Sequence, residues 1–293
     1  MRVVFLGLPL AALLLHADGH QVVLAGVRTG LTQGLRRLRR TLGDNAIVLD
    51  PHKDWEQFIR RARELEPELV VSWFFTRRIP MPLVRSARLG GLGVHPSLLP
   101  RHRGPDPYFA AIDAGDALTG VTAHRLEQDY DTGEILGQLS MRIEPDWNAW
   151  DLARALDRPS LRLLREVAAR AASGQPLEGK AQQQELATLA PRPTEDDRVL
   201  RWELPAERIV RRIRALAPNP GAACVIGDTE VILLRAEMHR APAALHPGEA
   251  AIVDGLAVVK ALDVGVALLR AESGDGPMGP EELAMLVARA RGK

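Results

Sequence analysis

Cysteine is nearly absent: Cys224 stands alone among 293 residues, which excludes an internal disulfide and any cysteine-based metal cluster and fits a reducing cytosol. A charge excess is missing too. Thirty-eight basic against 37 acidic residues leave a formal net charge of +1, so the total implies no polyelectrolyte partner. Crossing a bilayer takes about 20 consecutive apolar residues, and the apolar opening, residues 1–15, is too short for that. It has only Arg2 ahead of its apolar run, is interrupted by Pro9 and shows no small-residue cleavage site, so it reads as part of the fold. A cytoplasmic chain with no membrane partner is therefore expected. At the Gly7-Leu8-Pro9 turn after the first strand the glycines do not make the G-x-G-x-x-G fingerprint, which leaves a dinucleotide claim without support.

What is present is enough apolar material, 46%, to bury a full core, and a length that at about 150 residues per domain makes one large or two moderate domains. Apolar strands are predicted at residues 2–6, 21–26, 45–49, 68–73 and 92–95, with helices between them. One of these helices is opened by Asp54, three residues before Gln57, and places Trp55, Phe58, Ile59 and Ala62 on one side. Alternation of helix and apolar strand over about 95 residues predicts a doubly wound, mostly parallel α/β sheet. Ligands of such sheets lie beyond the carboxyl ends of the strands, and His95 falls there. Residues 28–40 carry five arginines, which suit a solvated helix face as well as a ligand-binding patch.

Residues 90–133 hold the chemistry-bearing part: a histidine ending an apolar run, a proline-bracketed loop, a helix from Asp106 to Ala114, an alternating strand that holds His124, and an acidic turn. A strand at 135–143 and a helical region at 147–173, kinked or broken at Pro159, follow. Residues 174–197, rich in glutamine, proline and charge, read as a linker, which divides the chain into 1–174, a linker at 175–200, and 201–293. The last part begins with an amphipathic helix at 202–216 and continues in strands near 223–226, 230–237, 248–260 and 264–272, with Asp254-Gly255 as a hairpin signal. That spacing suits a small β-barrel.

Four blocks within residues 90–133, Ser97-Leu98-Leu99-Pro100, Arg103-Gly104, Gly120-Val121-Thr122 and Asp131-Thr132-Gly133, resemble the folate-dependent formyltransferase family in kind and order. MRVVFLGLP, Arg78-Ile79-Pro80, ELATLAPRPTEDD and IRALAPNPGA extend the likeness over nearly the whole chain, in a layout similar to the branch acting on methionyl-tRNA. The resemblance implies a Rossmann-like catalytic domain and an OB-like barrel. It implies 10-formyltetrahydrofolate as formyl donor, no metal, and an amine acceptor, either a small-molecule or sugar amine or methionyl-tRNA, with no obligatory protein partner. It also makes Ser97, Leu98, Leu99, Pro100 and Gly133 candidates for the folate pocket, although the apolar ones suit plain packing equally.

The chemistry agrees with that resemblance. Formyl transfer passes through a tetrahedral intermediate whose oxyanion needs a donor, and the attacking amine must lose a proton. A histidine can serve either need and a carboxylate can orient it or take the proton, so His95 receives the oxyanion or proton-transfer role and Asp131 the relay. Asp131 as a plain turn residue is the competing reading, and Asp129 and His124 are the rivals, although a satisfied sheet histidine accounts better for His124. Asp106 either caps its helix or meets the acceptor ammonium, and Arg101 and Arg103 suit carboxylate or phosphate. Where the family has a catalytic asparagine, this chain has Gly93, which offers no side-chain donor. A formyltransferase is thus one expectation, and a folate-binding or regulatory relative with impaired turnover is the other. Residues 201–293 hold 12 basic and 12 acidic side chains, a balance that makes a poor general nucleic-acid binder.

Overall fold

The structure, a computed structural model, describes residues 1–30 and 33–291. Two positions of the arginine-bearing stretch, 31 and 32, therefore lie outside the described residues, as do the last two of the chain. Along the first two-thirds run β1 (Arg2–Gly7), α1 (Pro9–Ala17), β2 (Gln21–Val27), α2 (Leu35–Leu42), β3 (Ile47–Leu49), α3 (Trp55–Glu64), β4 (Leu69–Trp73), α4 (Met81–Val84), β5 (Gly91–His95), α5 (Pro107–Ala114), β6 (Leu118–Arg125), β7 (Ile135–Arg142) and α6 (Ala149–Ala172). Asp54 caps α3 by accepting from the Gln57 amide at 2.9 Å, and Asp106 caps α5 from Phe109 at 3.3 Å.

The strands form one seven-stranded sheet in the order β3-β2-β1-β4-β5-β6-β7. The first five are parallel and buried on both faces where they are central, which is why they read as continuous apolar runs, and β6 joins β5 antiparallel. The order reverses between β1 and β4. There the two strand ends approach so closely that a Cβ on Gly7 would stand 1.8 Å from the Trp73 carbonyl, a position only glycine, here at φ 134°, can fill. On one face of the sheet Val4, Leu6, Leu24, Phe58, Ala62, Val70 and Leu83 pack into a single cluster.

Two expectations give way here. β6 does not alternate: Thr119 through His124 are all buried, because the loop after β5 covers the face on which Gly120 and Thr122 lie. Nor does Pro159 break its helix. It lies inside a continuous α6, and the next residue, Ser160, donates its hydroxyl to the Asp157 carbonyl and accepts from the buried Trp73 indole at 3.0 Å, anchoring that turn.

The chain divides into two compact units, and they interleave. The first holds residues 1–105, 119–141 and 155–189, and the second holds 106–118, 142–154 and 190–293. The second unit contains α5 and continues with α7 (Glu195–Arg198), α8 (Ala206–Leu216), β8 (Ala222–Ile226), β9 (Thr229–His239), β10 (Ala250–Val253), β11 (Leu256–Lys260), β12 (Gly265–Ser273), β13 (Gly276–Met278) and α9 (Pro280–Arg291). Its strands make an antiparallel sheet ordered β10-β11-β12-β9-β8, with β13 on β12. Asp254 and Gly255, at φ 52° and 81°, turn the β10–β11 hairpin. Ile209, Ile213, Val231, Leu233, Val266, Leu268, Leu283 and Val287 form its core. Within this unit Arg212 grips Asp113 of α5 at 2.6 and 2.9 Å. The closing helix α9 was not foreseen, although Pro280 at its start and Glu281 and Glu282 in its first turn are ordinary helix-opening signals.

Asp50, just after β3, makes a testable brace. Its backbone is left-handed at φ 50°, and its carboxylate accepts from the Thr29 amide at 2.9 Å and the Thr29 hydroxyl at 2.8 Å, which hold its pKa down to about 2 from 3.8. A group depressed on folding stabilises the protein fully above its unfolded value and loses that contribution as pH falls through its folded value. Urea unfolding of Asp50→Asn is therefore expected to show a lower midpoint than the parent at neutral pH, with the difference shrinking between pH 4 and 2. A constant difference across that window overturns the assignment.

Candidate functional site

His95 ends β5, and the loop that follows is fastened from the neighbouring strands. Thr122 of β6 donates its hydroxyl to the Ser97 carbonyl at 2.7 Å and accepts from the Leu99 amide at 3.0 Å. Gln138 of β7 donates to both the Leu99 carbonyl and the Thr122 hydroxyl at 2.9 Å. Ser97 donates its own hydroxyl to the Arg101 carbonyl at 2.6 Å. Five backbone or hydroxyl groups of this loop are thus satisfied within the protein, which keeps His95 on a rigid base.

His95, 6% exposed, stands between two partners. Its Nε2 lies 2.7 Å from the His102 carbonyl oxygen, so that nitrogen carries the hydrogen and donates. Its Nδ1 is 3.4 Å from Oδ2 of Asp131, in the turn between β6 and β7. Asp131 has φ 58° and accepts the Gly104 amide on Oδ2 at 3.0 Å. Gly133 completes the turn because a Cβ there would stand 2.1 Å from the Arg125 carbonyl oxygen.

A second imidazole faces the same carboxylate. His124 lies directly opposite Gly93 across the β5–β6 register, donates Nδ1–H to the Arg125 carbonyl at 2.8 Å and presents Nε2 to Asp131 Oδ1 at 3.5 Å. Burial pushes its pKa below the usual histidine value, with the Asp131 charge pulling the other way. Its placement beside the carboxylate goes beyond a plain sheet histidine. Both rings spend their outer hydrogens on backbone carbonyls, so in their neutral forms both turn a lone pair toward Asp131. A proton entering the cluster is held between a ring and the carboxylate, the arrangement a proton relay requires.

The other candidates separate clearly by place. Asp129, its side chain 79% exposed against 16% for Asp131, pairs at 3.5 Å with Arg78 on the surface. Gly93 sits on β5 two residues before His95, where a Cβ would come 2.9 Å from Leu126 Cδ2 and 3.1 Å from His124 Nε2. Leu99 at 3% exposure and Ser97 at 1% point into the protein, whereas Leu98 and Pro100 are half-buried. Arg103 is buried, its Nε and Nη2 donating to Gln182 at 3.0 and 2.6 Å and its Nη1 to Gln184 at 2.9 Å. Asp106 belongs to the second unit as the cap of α5, and its carboxyl is raised by burial against the Phe109 amide and the charge of Arg192. Sequence reasoning missed Gln182 altogether, since a glutamine in a glutamine-rich stretch carries no local signal. His124 needed the strand register to place it beside Gly93. Among the described residues no cluster of three histidine, cysteine or acidic side chains has the geometry to hold a metal ion, and no helix is long and apolar enough to cross a membrane.

Comparisons with known proteins bear on this geometry. Residues 48–167 match a formyl transferase family model, and residues 193–285 match the formyl transferase C-terminal domain. A methionyl-tRNA formyltransferase of Mycobacterium sp. (strain KMS) is 35% identical over 80% of each chain, and one of Herpetosiphon aurantiacus is 34% identical over 82% of each. Among solved structures, an N-formyltransferase from Helicobacter canadensis in complex with folinic acid and dTDP-3-aminofucose superposes with a TM-score of 0.67 at 15% identity, over 91% of this chain and 98% of that one. HypX from Aquifex aeolicus in complex with tetrahydrofolic acid has a TM-score of 0.65 at 20% identity, over 100% of this chain and 47% of that one.

Proposed function

The chain belongs to the formyl transferase family, and from that premise we propose that it moves a formyl group from 10-formyltetrahydrofolate to an amine, with His95 and Asp131 handling the proton. The observation that carries this reading is the His95 Nδ1 to Asp131 Oδ2 approach of 3.4 Å, with the opposite ring nitrogen committed to the His102 carbonyl. In the reaction the acceptor nitrogen bonds to the formyl carbon and the bond from that carbon to the donor's N10 breaks. The proton lost by the amine is matched by one gained at N10. A carboxylate flanked by two imidazoles suits the first transfer.

The residues of the loop fit a flat, polar-edged folate ring. Half-buried Leu98 and Pro100 offer apolar contact, while Ser97, Leu99 and Gly133 shape the pocket from behind, their carbonyls already bonded to Thr122, Gln138 and Gln182. Arg103 is engaged by two glutamines and acts through the loop rather than by touching substrate. In this reading residues 1–174 carry the chemistry, 175–200 join them to 201–293, the C-terminal sheet is OB-like, and the protein works in the cytoplasm. One observation favours a second reading, a folate-binding relative with impaired turnover: Gly93 supplies no side-chain donor beside His95.

The test mixes the protein with 10-formyltetrahydrofolate and either methionyl-tRNA or amines, nucleotide-linked amino sugars included, following tetrahydrofolate release and the mass of the product. Release with a formylated product in one arm is expected. Folate binding with no product in any arm gives the second reading its place.

A further inference from the structure

The site is held from behind by a chain segment whose composition reads as a linker. Residues 182–188 lie in the first unit with His95 and Asp131, and they reach both partners. Thr188 accepts the His102 amide on its hydroxyl and the Arg103 amide on its carbonyl, each at 2.9 Å, and so holds the residue whose own carbonyl takes the His95 Nε2 hydrogen. Gln182, 8% exposed, holds the other partner. Its Nε2 donates to the Asp131 carbonyl at 2.8 Å and the Gly133 carbonyl at 2.7 Å, while its Oε1 accepts from Arg103 Nε and Nη2.

We propose that Gln182 is a positioning residue of this site, its carboxamide setting the turn that aims the Asp131 carboxylate at His95. The inference rests on the formyl-transfer reading for its kinetic arm only. The amide can sit one way round. Two carbonyl oxygens face one end and demand a donor, two guanidinium hydrogens face the other and demand an acceptor, and only a primary amide of this length serves both. The Asp131 turn needs such support because its backbone stays at φ 58°, a conformation that persists in a non-glycine residue when its surroundings over-determine it. Arg103 then has a role without touching substrate: its guanidinium fixes the amide's orientation, and Gln184 fixes the guanidinium.

Gln182→Glu is the diagnostic change. It keeps size and the oxygen toward Arg103, gains an ion pair there, and turns a second oxygen against the Asp131 and Gly133 carbonyls. The expected result is a retained melting temperature, a KM for the donor close to the parent's, and a kcat about 10- to 100-fold lower, the range in which supporting residues act on the groups they orient. Gln182→Met, which loses both sets of hydrogen bonds without adding charge, is expected to fall in the same direction. A second readout needs no substrate: the imidazole nitrogen resonances of His124, whose pKa burial lowers and the Asp131 charge raises, are expected to titrate differently in both variants because Asp131 has moved. Variants with kcat within about twofold of the parent and an unchanged His124 titration overturn the proposal. A parent without formyl transfer on any acceptor counts against the functional reading alone, and the resonance experiment still decides the role of Gln182.

Discussion

Asp131→Asn is expected to lower formyl transfer by about 100- to 10,000-fold, the range spanned by removing a positioned acid or base. The substitution is nearly isosteric, and the fold around it has every reason to persist. An amide oxygen in the place of Oδ2 still accepts from Gly104, and the amide nitrogen in the place of Oδ1 donates to the lone pair that neutral His124 presents at 3.5 Å. What disappears is the charge that receives and shares a proton. The sign of a second effect follows. Burial lowers the pKa of His124 and the Asp131 charge opposes that shift, so in Asp131→Asn the ring stays neutral to a lower pH than in the parent. Steady-state kinetics with a melting curve and a histidine resonance titration check both. A rate within about tenfold of the parent would mean that the acceptor proton leaves by another route.

Gly93→Asn is expected to act in the opposite direction, raising kcat by up to about 100- to 1000-fold if the added amide serves the oxyanion, since a single such donor is typically worth that much. The structure makes the variant a fair test. Gly93 has an ordinary backbone conformation for any residue, outside the left-handed set. A new Cβ meets the tip of Leu126 at 2.9 Å and His124 Nε2 at 3.1 Å, and side-chain ends can yield the few tenths of an ångström required. The amide would emerge on the same face as His95, two residues along the strand. Single-turnover measurement with donor in excess separates a gain in chemistry from one in binding. An unchanged or lower rate in a folded variant sinks the idea of a degraded site, and the oxyanion then has other donors.

Much of the first unit could be read before any coordinates. The strands β1, β2, β4 and β5 are apolar runs because each is buried on both faces, and the caps at Asp54 and Asp106 are local three-residue patterns. Pro159 does not break α6 because a proline removes only one hydrogen bond from a helix that packing and Ser160 hold. β6 misled because burial on a sheet depends on what lies over each face, and the loop after β5 covers the face that would have been open. The predicted elements end at residue 272, short of helix α9, although its opening signals stand in the sequence.

The sequence by itself determined the family, the two-part organisation of apolar α/β and short-strand segments, and the loops in which a histidine and an aspartate sit in the right order. It did so because strand burial, helix caps and turn residues are written in neighbours a few positions apart. Only the tertiary structure decided that Asp131 faces two imidazoles with their outer hydrogens already spent, that Asp129 is a surface residue, that α5 belongs to the second unit, and that Gln182 stands behind the site. The bonds of Gln182 to Asp131 and Arg103 span 51 and 79 residues. Contacts over such distances follow from strand register and from the handful of backbone conformations that bring two loops together, and no local pattern of residues records either.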